Sequence, residues 1–382
     1  MISSPRFEAV QMPPGANELR AEVRAFLAAE KARGIRFSQQ YGFEYSSDFS
    51  QSAGRQGYIG MTWPKEYGGH ERSSLERYVV IEEFLAAGAP TGAHWVADRQ
   101  SGPLLLRFGT AEQRQKILPR IAAGECFFCI GMSEPDSGSD LASIRSRATR
   151  TDGGWLINGT KLWTSGAHHS HYMIALVRTE PPSEDRHAGM SQMLIDMKSP
   201  GLEVRPVINM AGDHHFNEEV FTDCFVSDDM VIGEVGNGWN QVMSELGHER
   251  SGPERFLSTF QIFVELVRQI GPEPSDRAAE VLGRFAAHLM TLRQMSLSVA
   301  GMLERGESTN VEAALVKDVG TSLQKEMPDI ARTLMQAEND GIIPEGFIAT
   351  LDESILYSPV GTIQGGAREI LRGVVARGLG LR

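Results

Sequence analysis

The spacing of apolar residues changes twice along the chain, and the two changes divide it into three. In the first third, Leu19, Val23, Phe26 and Leu27 lie on one helical face after Pro13-Pro14-Gly15, which predicts a helix opening there. Ser73-x-x-Glu76 has the form of a capping box, so a further helix is expected through Leu75, Tyr78, Val79 and Phe84. Gly88-Ala89-Pro90 should stop it. Thr110-x-x-Gln113 opens another, carrying Ile117, Leu118 and Ile121, with Gly124 at its end.

From about Cys126 the period shifts towards 2. Trp155-Leu156-Ile157, Asn158-Gly159 and Thr160-Lys161-Leu162-Trp163 predict a hairpin that turns at Asn158-Gly159, a dipeptide that favours positive φ. Further short strands are expected at 172–177, 192–196, 202–207 and 220–226, giving a small β-barrel or sandwich. After Gly236-Asn237-Gly238 the helical period returns in Trp239, Val242, Met243 and Leu246. It continues through Phe260, Phe263, Val264 and Val267, then over 279–303 and 311–335. The expected class is α+β: an N-terminal helical domain over 1–125, a middle β-domain over 126–236 and a C-terminal helical domain over 237–382.

Composition supports a globular chain, with 41% hydrophobic and 23% charged residues among 382. The formal charge of −12 disfavours nucleic acid or an anionic membrane as a partner of the whole molecule. A local basic pocket for a phosphorylated ligand stays open. The longest apolar runs, such as Met173–Val177, are too short to span a bilayer, and residues 1–15 lack the apolar core of a signal peptide. A cytoplasmic protein is expected. Three cysteines make no disulfide framework. Cys126 and Cys129 lie three apart in an apolar run that reads as a strand, so they should diverge as buried structural thiols. His168, His169 and His171 lack a metal-ligand pattern and read as loop histidines; no metal is expected.

Candidate chemistry begins at Gly131-Met132-Ser133-Glu134-Pro135-Asp136-Ser137-Gly138-Ser139-Asp140. This loop follows a strand and is dense in small residues and hydroxyls, which lets backbone N–H groups approach a flat polar ligand. It has no phosphate-loop or G-x-G-x-x-G pattern. Downstream stands Asn158-Gly159-x-Lys161-x-Trp163-x-Ser165-Gly166. Together the two segments resemble the acyl-CoA dehydrogenase family. Trp63-Pro64-Lys65-Glu66-Tyr67-Gly68-Gly69, Gly109-Thr110-x-x-Gln113, Leu246-x-x-Glu249-Arg250 and Arg377-x-Leu379-Gly380-Leu381 extend the resemblance over nearly the whole chain.

The resemblance implies that family's fold, with a C-terminal four-helix bundle and a tetramer or a hetero-oligomer with a related chain. It implies FAD, with Trp163 packed on the isoalloxazine, Met132, Ser133 and Ser165 contacting the flavin, and Ser139 contacting the CoA of the substrate. The implied reaction is α,β-dehydrogenation of an acyl-CoA thioester: an α-proton goes to a carboxylate, a hydride passes to flavin N5, and an electron-transfer flavoprotein takes the electrons. Much of the family carries its glutamate at the position of Gly365, which cannot act as a base. Other branches carry it where Glu249 stands. The resemblance thus implies Glu249 as base, Arg250 as its orienting or charge-balancing neighbour, and the Gly365 N–H as a donor to the thioester oxygen. Pro253 has no N–H to bond the Glu249 carbonyl, so the helix should be perturbed there.

Other parts depart from the pattern. The family loop that reaches a neighbouring subunit's FAD is contracted to Arg268-Gln269-Ile270-Gly271, and a second such segment has no clear counterpart near 335–341. Ala367 replaces a common threonine, while Glu369 is retained as an adenosine contact. These departures keep two alternatives open: a half-site or non-catalytic subunit of a hetero-oligomer, and an oxygen-using flavin relative (an oxidase or hydroxylase).

Overall fold

The computed structural model describes residues 5–38, 44–181 and 183–381; the side chains of 246–249 lie outside the described set. Among the described residues the chain begins with α1 (Ala16–Ala32), α2 (Ser47–Arg55), α3 (Ser74–Ala87), α4 (Gly92–Val96), α5 (Gly102–Phe108) and α6 (Ala111–Ala122). The strands follow: β1 (Phe128–Gly131), β2 (Arg147–Thr151), β3 (Gly154–Ser165), β4 (Tyr172–Arg178), β5 (Met190–Asp196), β6 (Leu202–Ile208) and β7 (His214–Ser227). Then come α7 (Gly238–Glu249), α8 (Glu254–Leu257), α9 (Phe260–Ile270), α10 (Asp276–Glu304), α11 (Asn310–Glu338), α12 (Glu345–Tyr357) and α13 (Arg368–Gly378). The helix, sheet, helix order matches the reading of the periodicity. None of these helices is long and apolar enough to cross a membrane.

The chain forms two compact units. One gathers Met1–Glu44, Arg72–Pro90 and Glu249–Arg382, and the other Tyr45–Glu71 and Thr91–His248. The first unit is helical. The α3 capping box is formed as expected: the Ser73 hydroxyl accepts from Glu76 N, the Glu76 carboxylate accepts from Ser73 N, and Gly88 ends the helix at φ 71°. Glu82 and Glu83 are buried on α3. Arg20 reaches both carboxylates, Arg24 Nε donates to Glu83 at 2.7 Å, and Arg293 Nη2 from α10 donates to Glu82 at 3.1 Å. Buried carboxylates persist here because guanidinium groups satisfy them.

The second unit is built on a seven-stranded sheet in the order β1-β4-β2-β3-β7-β6, with β5 paired to β4. Ile157, Met173, Ala175, Val177, Met193, Ile195 and Cys224 fill one core cluster. Cys126, Cys129 and Cys224 are buried and unpaired. Burial pushes the Cys126 and Cys224 thiols up to about 11, so both stay protonated and inert.

One expectation is corrected. Asn158-Gly159 makes no hairpin turn; β3 runs through it, paired with β7 from Gly154 to Ser165. The hairpin turns at Asp152-Gly153 instead, between β2 and β3, with Gly153 at φ 71°. Gly159 serves a bulge, at φ 146° and with a register shift beside it. A Cβ there would lie 2.6 Å from the Ser146 Cα, so the glycine lets another segment cross close to the strand. Asn158 uses its side chain to exchange two hydrogen bonds with Asp223, bridging the irregularity.

Candidate active site

In the second unit the loop after β1 is tied to β3 through main chain and side chain. Leu162 N donates to the Ser133 carbonyl at 2.9 Å. Lys161, with no exposure, extends its ammonium beneath the loop and donates to the Met132 carbonyl at 3.1 Å and to Glu134 Oε1 at 2.9 Å. The Glu134 carboxylate also accepts from the N–H groups of Arg145 and Ser146. Burial disfavours its charge, yet Lys161 and these donors outweigh burial and hold the carboxyl below its usual range. Burial also brings the Lys161 ammonium down to about 8, opposed by Glu134.

Glu219 stands opposite Lys161 in the β3–β7 register and is fully buried. Burial pushes its carboxyl up to about 8, opposed by the hydroxyl of Thr164, which lies 2.6 Å from Oε2. Its other oxygen has no hydrogen-bond partner. Glu219 is therefore a neutral acid near pH 7. The polar layer beneath Trp163 thus holds one ion pair and one protonated carboxyl.

Trp163 occupies a second bulge, between Leu162 and Thr164, and has a left-handed backbone at φ 66°. For a bulky residue this conformation costs about 1–3 kcal/mol. It turns the indole outward, 58% exposed, with an edge-to-face contact to Phe216 at 5.9 Å. Asn217 clamps the bulge from β7. Buried, it donates to the Thr164 carbonyl at 3.0 Å and accepts at Oδ1 from His168 Nδ1 (3.1 Å) and His214 Nε2 (2.7 Å). An amide oxygen only accepts, so both histidines carry their protons on those atoms. Their rings stack at 3.7 Å. His168 and His169 lie at the surface with their rings partly covered by His214 and Tyr45, half-buried His171 accepts from the Phe127 N–H, and among the described residues no group of three or more side chains is placed to hold a metal.

Met132, Ser133, Trp163 and Ser165 are thus brought together by β3 and the loop above it. Ser139 lies further along the same loop and is exposed. The remaining candidates fall in segments of the helical unit. Glu249 ends α7, and its side chain lies outside the described residues. The helix does stop there, and Pro253 precedes the short α8. Arg250 is buried and donates from Nε to the Gly365 carbonyl at 3.2 Å, so these two candidates are joined. Arg268, on α9, is exposed and donates from Nε to Glu265 at 2.8 Å, and Glu369 is exposed in the first turn of α13.

Lys161 and Glu134 stand within the two motifs, but nothing in their spacing shows that they pair, and no motif marks Glu219 or Asn217. A fully polar Asn217-Glu218-Glu219 triplet inside a strand pattern was the available signal.

Residues 13–125 match the model for the acyl-CoA dehydrogenase N-terminal domain, and residues 129–224 that for the acyl-CoA dehydrogenase middle domain. Over 380 residues the sequence is 32% identical to acyl-CoA dehydrogenase IpdE1 of Mycobacterium tuberculosis (strain ATCC 25618 / H37Rv), covering 95% of this chain and 97% of that one. The solved Tcur3481-Tcur3483 steroid ACAD is 30% identical with a TM-score of 0.86, covering 97% of this chain and 98% of that one. The ChsE4-ChsE5 complex from Mycobacterium tuberculosis is 26% identical with a TM-score of 0.82, covering 98% and 99%. Sheet, helices and motifs together define an acyl-CoA dehydrogenase fold. The chain belongs to the acyl-CoA dehydrogenase family and is an oxidoreductase of that class.

Proposed function

We propose that this protein is an FAD-dependent acyl-CoA dehydrogenase that desaturates a thioester between its α and β carbons and passes the electrons to an electron-transfer flavoprotein. The observation that carries the reading is Trp163. A large aromatic ring held outward by a strained bulge, beside the Met132-Ser133 main chain, suits one face of a flat conjugated ring. Met132, Ser133, Trp163 and Ser165 would hold the flavin, Arg268 and Glu369 its adenosine end, and Ser139 the CoA. When bound, FAD supplies the hydride acceptor. Glu249 takes the α-proton, and enclosure by the acyl chain raises the basicity of its carboxylate. Arg250 balances that charge. The Gly365 N–H donates to the thioester oxygen as it gains charge, an interaction commonly worth about 3–4 kcal/mol in the transition state.

The steroid ACAD among the relatives makes a fused-ring acyl group the first to try. Assembly with a related chain is favoured by the ChsE4-ChsE5 complex among the relatives.

Purifying the chain and titrating it anaerobically with straight, branched and fused-ring acyl-CoA thioesters tests the proposal. A yellow protein that bleaches with one of them and reoxidises slowly in air is expected. Fast reoxidation would favour the oxygen-using alternative. A chain that binds no flavin, alone or with a related chain, would overturn the reading.

A further inference from the structure

Two cations meet two consecutive carbonyls just before α13. Arg250 Nε donates to the Gly365 oxygen at 3.2 Å, and the Lys317 ammonium donates to the Gly366 oxygen at 2.7 Å. Both side chains are buried, Lys317 completely. Beside Lys317 on α11, Asp318 accepts from Arg368 Nε at 2.7 Å and from Arg372 Nε at 3.3 Å. Helix α11 therefore grips the chain on both sides of Ala367, which caps α13. The turn needs its glycines: φ is 72° at Gly365 and 109° at Gly366.

The peptide units here are trans, so each N–H points opposite to the carbonyl of its own unit. The Gly366 N–H therefore points away from Arg250, and the Ala367 N–H away from Lys317. A cation on a carbonyl oxygen draws electron density through the amide and makes its N–H a stronger donor. Among the described residues, neither of these N–H groups donates to a backbone carbonyl.

We propose that Lys317 is a positioning residue: it fixes the Gly365-Gly366 turn, whose first carbonyl Arg250 polarises, so that the Gly366 N–H joins that of Gly365 in bonding the thioester oxygen. Lys317 itself touches no substrate and transfers no proton; the α-proton still goes to Glu249. The inference rests on the acyl-CoA dehydrogenase reading above and adds a residue and a donor to it.

The test uses the full chain as purified, with two variants. Lys317→Met removes the donor, and Lys317→Gln keeps an N–H without charge and stands in if the first does not fold. In substrate-free protein, amide exchange at Ile370 and Leu371, whose N–H groups bond the Ala367 carbonyl at the end of the turn, should quicken about tenfold or more in Lys317→Met, because the turn is released. A 3-oxoacyl-CoA is then bound and its enolate absorbance followed against pH. Both variants should raise the pH of half-enolisation by about one unit, a tenfold loss of enolate stabilisation, while the dissociation constant of the neutral form changes less than about threefold. Unchanged exchange in the folded Lys317→Met protein, or an unmoved enolate titration in either variant, would overturn the inference. If wild-type protein binds no acyl thioester, the functional reading fails by that result, and the exchange measurement still decides whether Lys317 holds the turn.

Discussion

Lys161 and Glu134 form a buried ion pair, Nζ to Oε1 at 2.9 Å, with side chains 0% and 7% exposed. The pair holds the Met132-Ser133 loop against β3, because the same ammonium also bonds the Met132 carbonyl. Glu134→Gln would leave that ammonium buried without an anion, and the expected cost is about 3–5 kcal/mol of unfolding free energy. Adding Lys161→Met to Glu134→Gln should recover much of the loss. Denaturant unfolding of the two single variants and the double variant measures the coupling; additive losses would contradict it.

Glu219 gives a pH dependence with a definite sign. Its folded carboxyl titrates at about 8, against an ordinary value of 4.5. Between those values the folded state holds a proton that the unfolded state has lost, so this group's contribution to stability falls as pH rises through the window. Glu219→Gln keeps the shape of the neutral acid and abolishes that fall. The variant should gain on wild type in thermal midpoint from pH 5 to 8. A constant difference across that range would mean that Glu219 is ionised in the folded protein.

His168 titrates in the opposite sense. Burial, with help from His169 and His214, brings its imidazole down to about 4 from 6.5. As pH falls through that interval the unfolded state binds a proton that the folded state refuses, so stability is lost. His168→Gln should flatten the acid side of the stability profile between pH 6.5 and 4, measured as the thermal midpoint. An unchanged slope would place the acid sensitivity elsewhere.

Gly159→Ala tests the bulge that replaced the expected hairpin turn. The new Cβ would lie 2.4 Å from Ser146 Oγ and 2.6 Å from its Cα, at a φ of 146°. A loss of about 2–4 kcal/mol is expected in denaturant unfolding, well above an ordinary surface substitution. A loss below about 0.5 kcal/mol would show that β3 can straighten there.

What could be read from the chain was local. The Ser73 and Thr110 caps need partners only three residues away, and both formed. The loop from Gly131 and the strand bearing Trp163 were legible because their spacing is fixed. The Asn158-Gly159 hairpin failed because positive φ serves a bulge as well as a turn, and only the packing of Ser146 decides between them. Asn217 and Glu219 stayed invisible because their work depends on the pairing of β3 with β7, more than fifty residues along the chain. Lys317 reaches Gly366 across 49 residues, a contact that no local pattern signals.

Glu249 is the proposed base, in a chain that has glycine at 365, where much of the family carries its glutamate. The most direct measurement is Glu249→Gln, folded and flavin-loaded, mixed anaerobically with the best acyl-CoA of the panel. Flavin reduction and exchange of the α-proton with deuterated water should both fall by at least about a thousandfold, with thioester binding changed little. Retention of wild-type exchange and reduction would contradict the assignment.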